Sequence, residues 1–187
     1  MPNKIAAHVA EGKQYFPLAS GAQDGWHKDG RATATCYCGA IQLSFPVEGP
    51  GFVGTFVCHC PDCHKFTASM FASNFTVLDE HLVHERGQDN FTIYKQKQTI
   101  VSGMNMSNYF CKTCGSLMYR IAEDYPGVSL LRIGTVDDFT LMETKLRPQL
   151  EQFTENRVSW VHEIEGARKA GRMGFEGASA KAKQAKV

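Results

Sequence analysis

Seven cysteines stand in three short groups: Cys36-x-Cys38, Cys58-x-Cys60-x-x-Cys63 and Cys111-x-x-Cys114. Each spacing lets a small turn bring its sulfurs toward a common point. Thiolates suit zinc, a borderline-soft ion that asks for little beyond compact tetrahedral coordination. Gly39 and Gly115 each follow a cysteine pair and relieve crowding where backbone amides approach sulfur. The first and last pairs together offer four thiolates, the complement of a closed structural site. Cys58, Cys60 and Cys63 remain, and three protein ligands with an open position are what a catalytic zinc needs. That division leaves no thiol unused. Spacing keeps a second reading open: a ring nitrogen of His59 or His64 would close the three-sulfur site and make both metals structural. A redox dithiol fits poorly, because the thiols are too many and too clustered for a simple exchange pair. Iron–sulfur ligation suits the ligand type but lacks its repeated run.

Other groups near these cysteines can act on a substrate. His59 lies between two proposed ligands and His64 follows the third, so either imidazole can relay a proton or hydrogen-bond a sulfur. His64 is the preferred acid–base candidate, while His59 reads equally as a turn residue. Lys65 can attract a carboxylate or steady developing negative charge, against the default of a solvent-facing lysine. Met104 and Met106 can line an adaptable pocket, with Asn105, Asn108 and Tyr109 as its polar groups. The alternating methionines fit the inward face of a strand at least as well. Phe66, Phe71 and Phe75 read first as a buried aromatic patch and second as a substrate wall. Trp160 reads first as a hydrophobic anchor.

The elements that must hold these groups are short. From residue 31 the chain breaks into β-favouring pieces punctuated by Gly and Pro. Residues 32–45 predict two strands around Cys36–Gly39, and 52–57 a strand running straight into Cys58. Further strands are predicted at 70–78, 91–99, 108–111, 116–121 and 128–133. Helical character is confined to 61–69 and, loosely, 150–165, with Asp137-Asp138 opening a turn or short helix. Many short strands argue for a mainly β domain over residues 31–165. Residues 1–30 read as an extended N-terminal arm whose aromatics pin it to the domain, and 166–187 as a flexible tail.

The 187 residues carry 20 Lys+Arg against 19 Asp+Glu, and 43% are hydrophobic. That is enough chain for one domain with a sizeable core. The near-neutral charge lacks the footprint of a nucleic-acid binder, and no apolar run is long enough to span a bilayer. The odd, clustered cysteines and the absence of a secretory signal predict a cytoplasmic, reducing setting. No Gly-rich nucleotide loop is present.

Taken in order, Cys36-x-Cys38-Gly39, Cys58-His59-Cys60-x-x-Cys63 and Phe110-Cys111-x-x-Cys114-Gly115 closely resemble the glutathione-dependent formaldehyde-activating enzyme family. That family shares a domain with centromere protein V and has an Mss4-like β fold. The resemblance covers roughly residues 31–136, and Gly134-Thr135-Val136-Asp137-Asp138 looks like the family's Gly-Thr-Leu-Asp-Asp segment. It implies a mainly β, Mss4-like zinc-binding fold with short helices and two zinc ions per chain. Cys36, Cys38, Cys111 and Cys114 match the structural ligands, and Cys58, Cys60 and Cys63 the more labile site that a thiol substrate reaches. It also implies glutathione as co-substrate, since the family's named reaction joins glutathione to formaldehyde. The chain departs from the family after Cys63: His64-Lys65-Phe66-Thr67-Ala68-Ser69 stands where a basic residue and a Gly/Ser-rich turn are common. The expected function is a zinc-dependent carbon–sulfur lyase-like enzyme, with His64 and the three cysteines catalytic and Lys65, Asn105 and Tyr109 contacting the ligand. Its partner would be a small thiol adduct or carbonyl compound, including one from specialised metabolism, and a homodimer stays open. The alternative is a non-catalytic zinc scaffold or a nucleic-acid or protein interaction module.

Overall fold

Residues 32–35 read Ala-Thr-Ala-Thr, and strand alternation sends the two residue types to opposite faces. The computed structural model, which describes residues 3–19 and 21–174, shows why both faces are needed. Ala32 and Ala34 enter the main hydrophobic core. Thr33 and Thr35 turn the other way and donate their hydroxyls to the Asp137 carboxylate at 2.6 and 2.7 Å. A strand covered on both faces must satisfy its polar side chains internally, and this one does.

Among the described residues there are twelve strands in two sheets. β1 (His27–Lys28), β2 (Arg31–Thr35), β3 (Gln42–Pro46) and β6 (Val83–Arg86) form a small antiparallel sheet in the order β1-β2-β3-β6. The large sheet uses β4 (Phe52–Cys58), β5 (Ala72–Leu78), β7 (Phe91–Gln96), β8 (Met106–Cys111), β9 (Leu117–Ala122), β10 (Val128–Arg132), β11 (Leu150–Gln152) and β12 (Arg168–Ala170). Its order is β12-β11-β4-β5-β10-β9-β8-β7, antiparallel except where β11 runs parallel to both β4 and β12. The sheets face each other across one core, in which the Phe45 and Phe75 rings lie 4.5 Å apart. α2 (Pro61–Thr67) covers the opposite face of the large sheet over a second apolar cluster containing Phe56, Cys58, Cys63, Ala72 and Leu150. The fold is the expected mainly β, Mss4-like one with short helices.

Residues 4–10 and 168–170 form regular elements that composition does not predict. Asn3 accepts hydrogen bonds from the backbone N–H groups of Ile5 and Ala6 and so caps α1 (Lys4–Ala10), where an extended arm was expected. Tyr15 does pin this segment, stacking on His8 at 4.4 Å and meeting Phe139 edge-on. The helix expected over 150–165 does not form. Leu150–Gln152 give their backbone groups to the edge of β4 instead, and only a 3-10 turn follows at Thr154–Asn156. Pairing at a sheet edge and burial of Leu150 outweigh a weak helical pattern. Within the expected tail, Arg168–Ala170 form β12; residues 175–187 lie outside the described residues. The acidic pair at 137–138 leads into α3 (Thr140–Glu143), with Asp138 accepting from the Thr140 N–H.

Candidate functional site

The cysteines gather into two sets, Cys36/Cys38/Cys111/Cys114 and Cys58/Cys60/Cys63, and within each the sulfurs lie within 4.8 Å of one another. The four-sulfur set sits where the sheets meet, Cys36 and Cys38 following β2 and Cys111 closing β8. Cys36 Sγ is 3.6 Å from Cys38 Sγ, which is 3.7 Å from Cys111 Sγ. A tetrahedral ion with metal–sulfur bonds of about 2.3 Å requires sulfur–sulfur edges of about 3.8 Å, so this set fits zinc. The Ile41 backbone N–H donates to Cys36 Sγ and the Asn90 amide to Cys111 Sγ, leaving the sulfurs few directions in which to move. Gly39 turns with φ +80° against Ala22, where a side chain would collide. Burial pushes the Cys36 thiol up to about 12. Burial acts the same way on Cys114, but hydrogen bonds from the Ser116 side chain and backbone win and bring it down to about 6.

The three-sulfur set is built differently. Cys58 ends β4, Cys60 caps α2 by accepting from the Cys63 N–H at 3.4 Å, and Pro61 starts the helix where no donor is required. Among the described residues no fourth His, Cys, Asp or Glu joins these three. Hydrogen bonds from Cys58 and Cys60, aided by the charges of Arg120 and Arg132, hold Cys63 far below the ordinary thiol value, at about 2; the same sharing pushes Cys58 far up. The negative charge of the set is thus drawn toward Cys63, the sulfur nearest the guanidiniums.

Those arginines are the main feature that sequence reasoning missed. Arg120 and Arg132 are 7% and 6% exposed on the sheet face beneath α2. Arg120 donates to Cys63 Sγ at 3.6 Å and lies over the Phe66 ring, 5.3 Å from its centroid. Arg132 donates to the Asn74 side-chain oxygen. Burial, then Arg120, lowers Arg132 to about 10, which leaves it charged at neutral pH. A signal was present in the sequence: Arg120 interrupts the mostly apolar strand Leu117–Ala122, and Arg132 directly follows an apolar pair and ends Val128–Arg132.

The two histidines part ways. His59 is buried, its Nε2 2.9 Å from Glu151 Oε1, and Arg157 donates to both Glu151 oxygens at 3.1 and 3.3 Å. This network ties the metal loop to β11. His64 lies on α2 with its Nε2 enclosed and without a hydrogen-bond partner among the described residues. Lys65 is exposed on the same helix. Asn105 lies away from the sulfurs, its amide held by the exposed Glu123 carboxylate at 2.9–3.0 Å. Tyr109 faces the sheet–sheet core and stacks on Tyr119 at 4.3 Å. Strand alternation instead turns its neighbour Asn108 to the arginine side, opposite Arg120 and fully buried. Met104 and Trp160 are exposed, Trp160 by 68%, so the latter is not a buried anchor among the described residues. Phe66 borders the arginines, Phe71 meets His59 edge-on, and Phe75 belongs to the core.

A cleft of about 390 Å³ opens beside α2 between Phe66, Thr67, Phe71, Leu117, Arg132 and Thr135. A second hollow of about 330 Å³ lies under the N-terminal segment and shares Gly134 and Thr135 with it. No helix among the described residues is long and apolar enough to cross a membrane.

No curated protein sequence gives a match. A crystal structure of a Rhodobacter sphaeroides protein is similar over 74% of this chain and 98% of its own, at 19% identity and a TM-score of 0.45. A family model described as glutathione-dependent formaldehyde-activating enzyme matches residues 31–156, a span that begins at β2 and contains both sulfur sets. With more than half of the chain inside that match, the protein belongs to the glutathione-dependent formaldehyde-activating enzyme family.

Proposed function

We propose that this protein is a zinc-dependent carbon–sulfur lyase-like enzyme that makes or breaks the adduct of a thiol, glutathione foremost, with a small carbonyl compound. The observation that carries this reading is a three-thiol set with no fourth His, Cys, Asp or Glu donor among the described residues, next to two buried guanidiniums and near an open cleft. A zinc ion bound by Cys58, Cys60 and Cys63 would supply a Lewis acid that stabilises a thiolate at neutral pH. In the addition direction a carbon–sulfur bond forms, the carbonyl π pair moves to oxygen, and that oxygen takes a proton. Cleavage runs the same steps backwards. The unpartnered Nε2 of His64 is the group we assign to carry this proton. Lys65, exposed on the same helix, would draw in the carboxylates of a substrate. Cys36, Cys38, Cys111 and Cys114 would hold a second zinc with a purely structural role. A reducing, cytoplasmic setting suits seven free thiols.

Glutathione with formaldehyde, followed by other thiol–aldehyde pairs, should be screened by NMR for accelerated exchange between free and adduct forms. Cys60→Ser should abolish acceleration while the fold survives. His64→Gln should lower the single-turnover rate by about 10²-fold or more with little change in substrate affinity. Full acceleration by a Cys60→Ser protein lacking the second zinc would reject zinc catalysis and leave the non-catalytic scaffold as the better reading.

A further inference from the structure

Burying a guanidinium is costly unless a counter-charge and hydrogen-bond acceptors come with it. Arg120 and Arg132 are both more than nine-tenths buried, and neither is ion-paired with a carboxylate among the described residues. Their hydrogen bonds are also incomplete. Arg120 Nη1 reaches Cys63 and Arg132 Nη1 reaches Asn74, but Arg120 Nε and Arg132 Nε and Nη2 have no partner among the described residues. Three enclosed donors are thus left on one face of the large sheet, across the paired strands β9 and β10.

Charge balance points the same way. Three thiolates around a divalent ion carry one net negative charge, and two guanidiniums overbalance it by one. A neutral donor completing the site would leave that positive charge buried, whereas an anion would cancel it and accept the free N–H groups. Arg132 also lines the 390 Å³ cleft beside α2, so the pair is approached from its Arg132 end.

We propose that Arg120 and Arg132 form an anion hole beside Cys63, entered from this cleft, which makes the second sulfur set select a small anionic ligand over a neutral one. This rests on the reading of Cys58, Cys60 and Cys63 as metal ligands. The pair acts on the incoming ligand directly, through the Nε and Nη2 hydrogens, and not by holding the cysteines in place. A thiolate is one member of the class it accepts; an uncharged thiol or imine nitrogen is not.

The test uses the full chain with both zincs bound, azide as the anionic probe and imidazole as the neutral one. Arginine Nε–H resonances report the site without any turnover. Azide should shift the Arg120 and Arg132 signals, and imidazole should leave them in place. Arg132→Gln should weaken azide binding by at least about tenfold, the usual effect of losing hydrogen bonds to a charged group, and imidazole binding far less. Arg132→Lys, which keeps the charge but loses the fork, should fall between. If Arg132→Gln does not fold, the wild-type titration decides alone. Two bound zincs with arginine signals indifferent to azide would overturn the anion hole and leave the metal reading standing. Elemental analysis finding one zinc per chain would overturn both.

Discussion

The two sulfur sets use the same ligand chemistry in opposite structural settings. Cys36 and Cys38 belong to the end of the small sheet and Cys111 and Cys114 to the large one, Cys111 lying 73 positions after Cys38. Cys58, Cys60 and Cys63 hang on one strand end and the helix that follows it. An ion in the first set closes a long loop and joins the sheets; one in the second ties together residues that are already neighbours. Loop-closure entropy alone makes the long tie worth about 2 kcal/mol more, because the cost of closure grows with the logarithm of loop length. The surroundings differ too: amides from Ile41 and Asn90 hold the four-sulfur set, while guanidiniums face the three-sulfur set. On the proposed reading, the four-sulfur set would hold the fold, and the three-sulfur set would carry spare charge and a spare coordination position.

The largest effect that would break this contrast concerns folding. Cys111→Ser should cost about 5 kcal/mol or more, since it removes a ligand of the long-range tie and opens the end of β8. Cys60→Ser should cost about 2 kcal/mol or less and leave the core intact. Thermal melting and amide dispersion in NMR spectra compare the two directly. Equal losses would mean that both sets are structural.

A smaller effect separates the loop from the sheet that holds it. Glu151→Gln should destabilise the protein by about 3 kcal/mol, because it strands Arg157 and His59 without the carboxylate they share inside the protein. The damage should centre on the β4–β11 edge, where His59 also donates its backbone N–H to Gln152 O at 3.0 Å. In zinc-loaded protein a chelator should then strip an ion held by Cys58, Cys60 and Cys63 faster, and one held by the four-sulfur set at its usual rate. Unchanged release from both sites would show that this network steadies the fold without steadying the metal loop.

Much of this contrast could be read from the sequence, for a local reason. Cysteine spacing inside a turn is short-range information, so the ligand sets and the strands leading into them were accessible from the chain alone. Short β-favouring runs bounded by Gly and Pro likewise mark 52–57 and 128–133 as strands. What could not be read was set by pairing between distant segments. Leu150–Glu151–Gln152 has no strand signature of its own and becomes a strand because β4 presents an open edge to it. Arg120 and Arg132 sit in strands whose pattern is visible, yet only the neighbouring registers of β5, β9 and β10 bring them together under α2. Of the two neighbouring residues that the sequence offers as polar groups of a pocket, Asn108 faces the arginines and Tyr109 the sheet–sheet core, because alternation sends neighbours to opposite faces. α1 was missed because Asn3, its cap, is a single residue ahead of a short helix.

The smallest effect costs no stability and asks how closed each set is once its metal is gone. Two cysteines are held low, Cys114 at about 6 and Cys63 at about 2, but only Cys114 is half-buried; Cys63 is 3% exposed. Alkylation needs a thiolate and also a path to it. In metal-stripped protein at neutral pH, iodoacetamide should therefore modify Cys114 first, and mass mapping of the early product should find it there. Its group titrates near 6, so the rate should stay level above that pH and fall as pH drops through it. Cys36, pushed up to about 12, is a thiol throughout this range, and its slower rate should climb roughly tenfold per pH unit, as the thiolate fraction does. Cys63 is held far below the ordinary thiol value by hydrogen bonds from Cys58 and Cys60 and by the arginine charges, so its reactivity reads access first. Protection of Cys63 would mean that α2 and the arginines keep the three-sulfur site shut without metal. Alkylation of Cys63 as fast as Cys114 would mean that the metal itself holds α2 down, and the contrast between a closed structural set and a preformed ligand site would have to be redrawn.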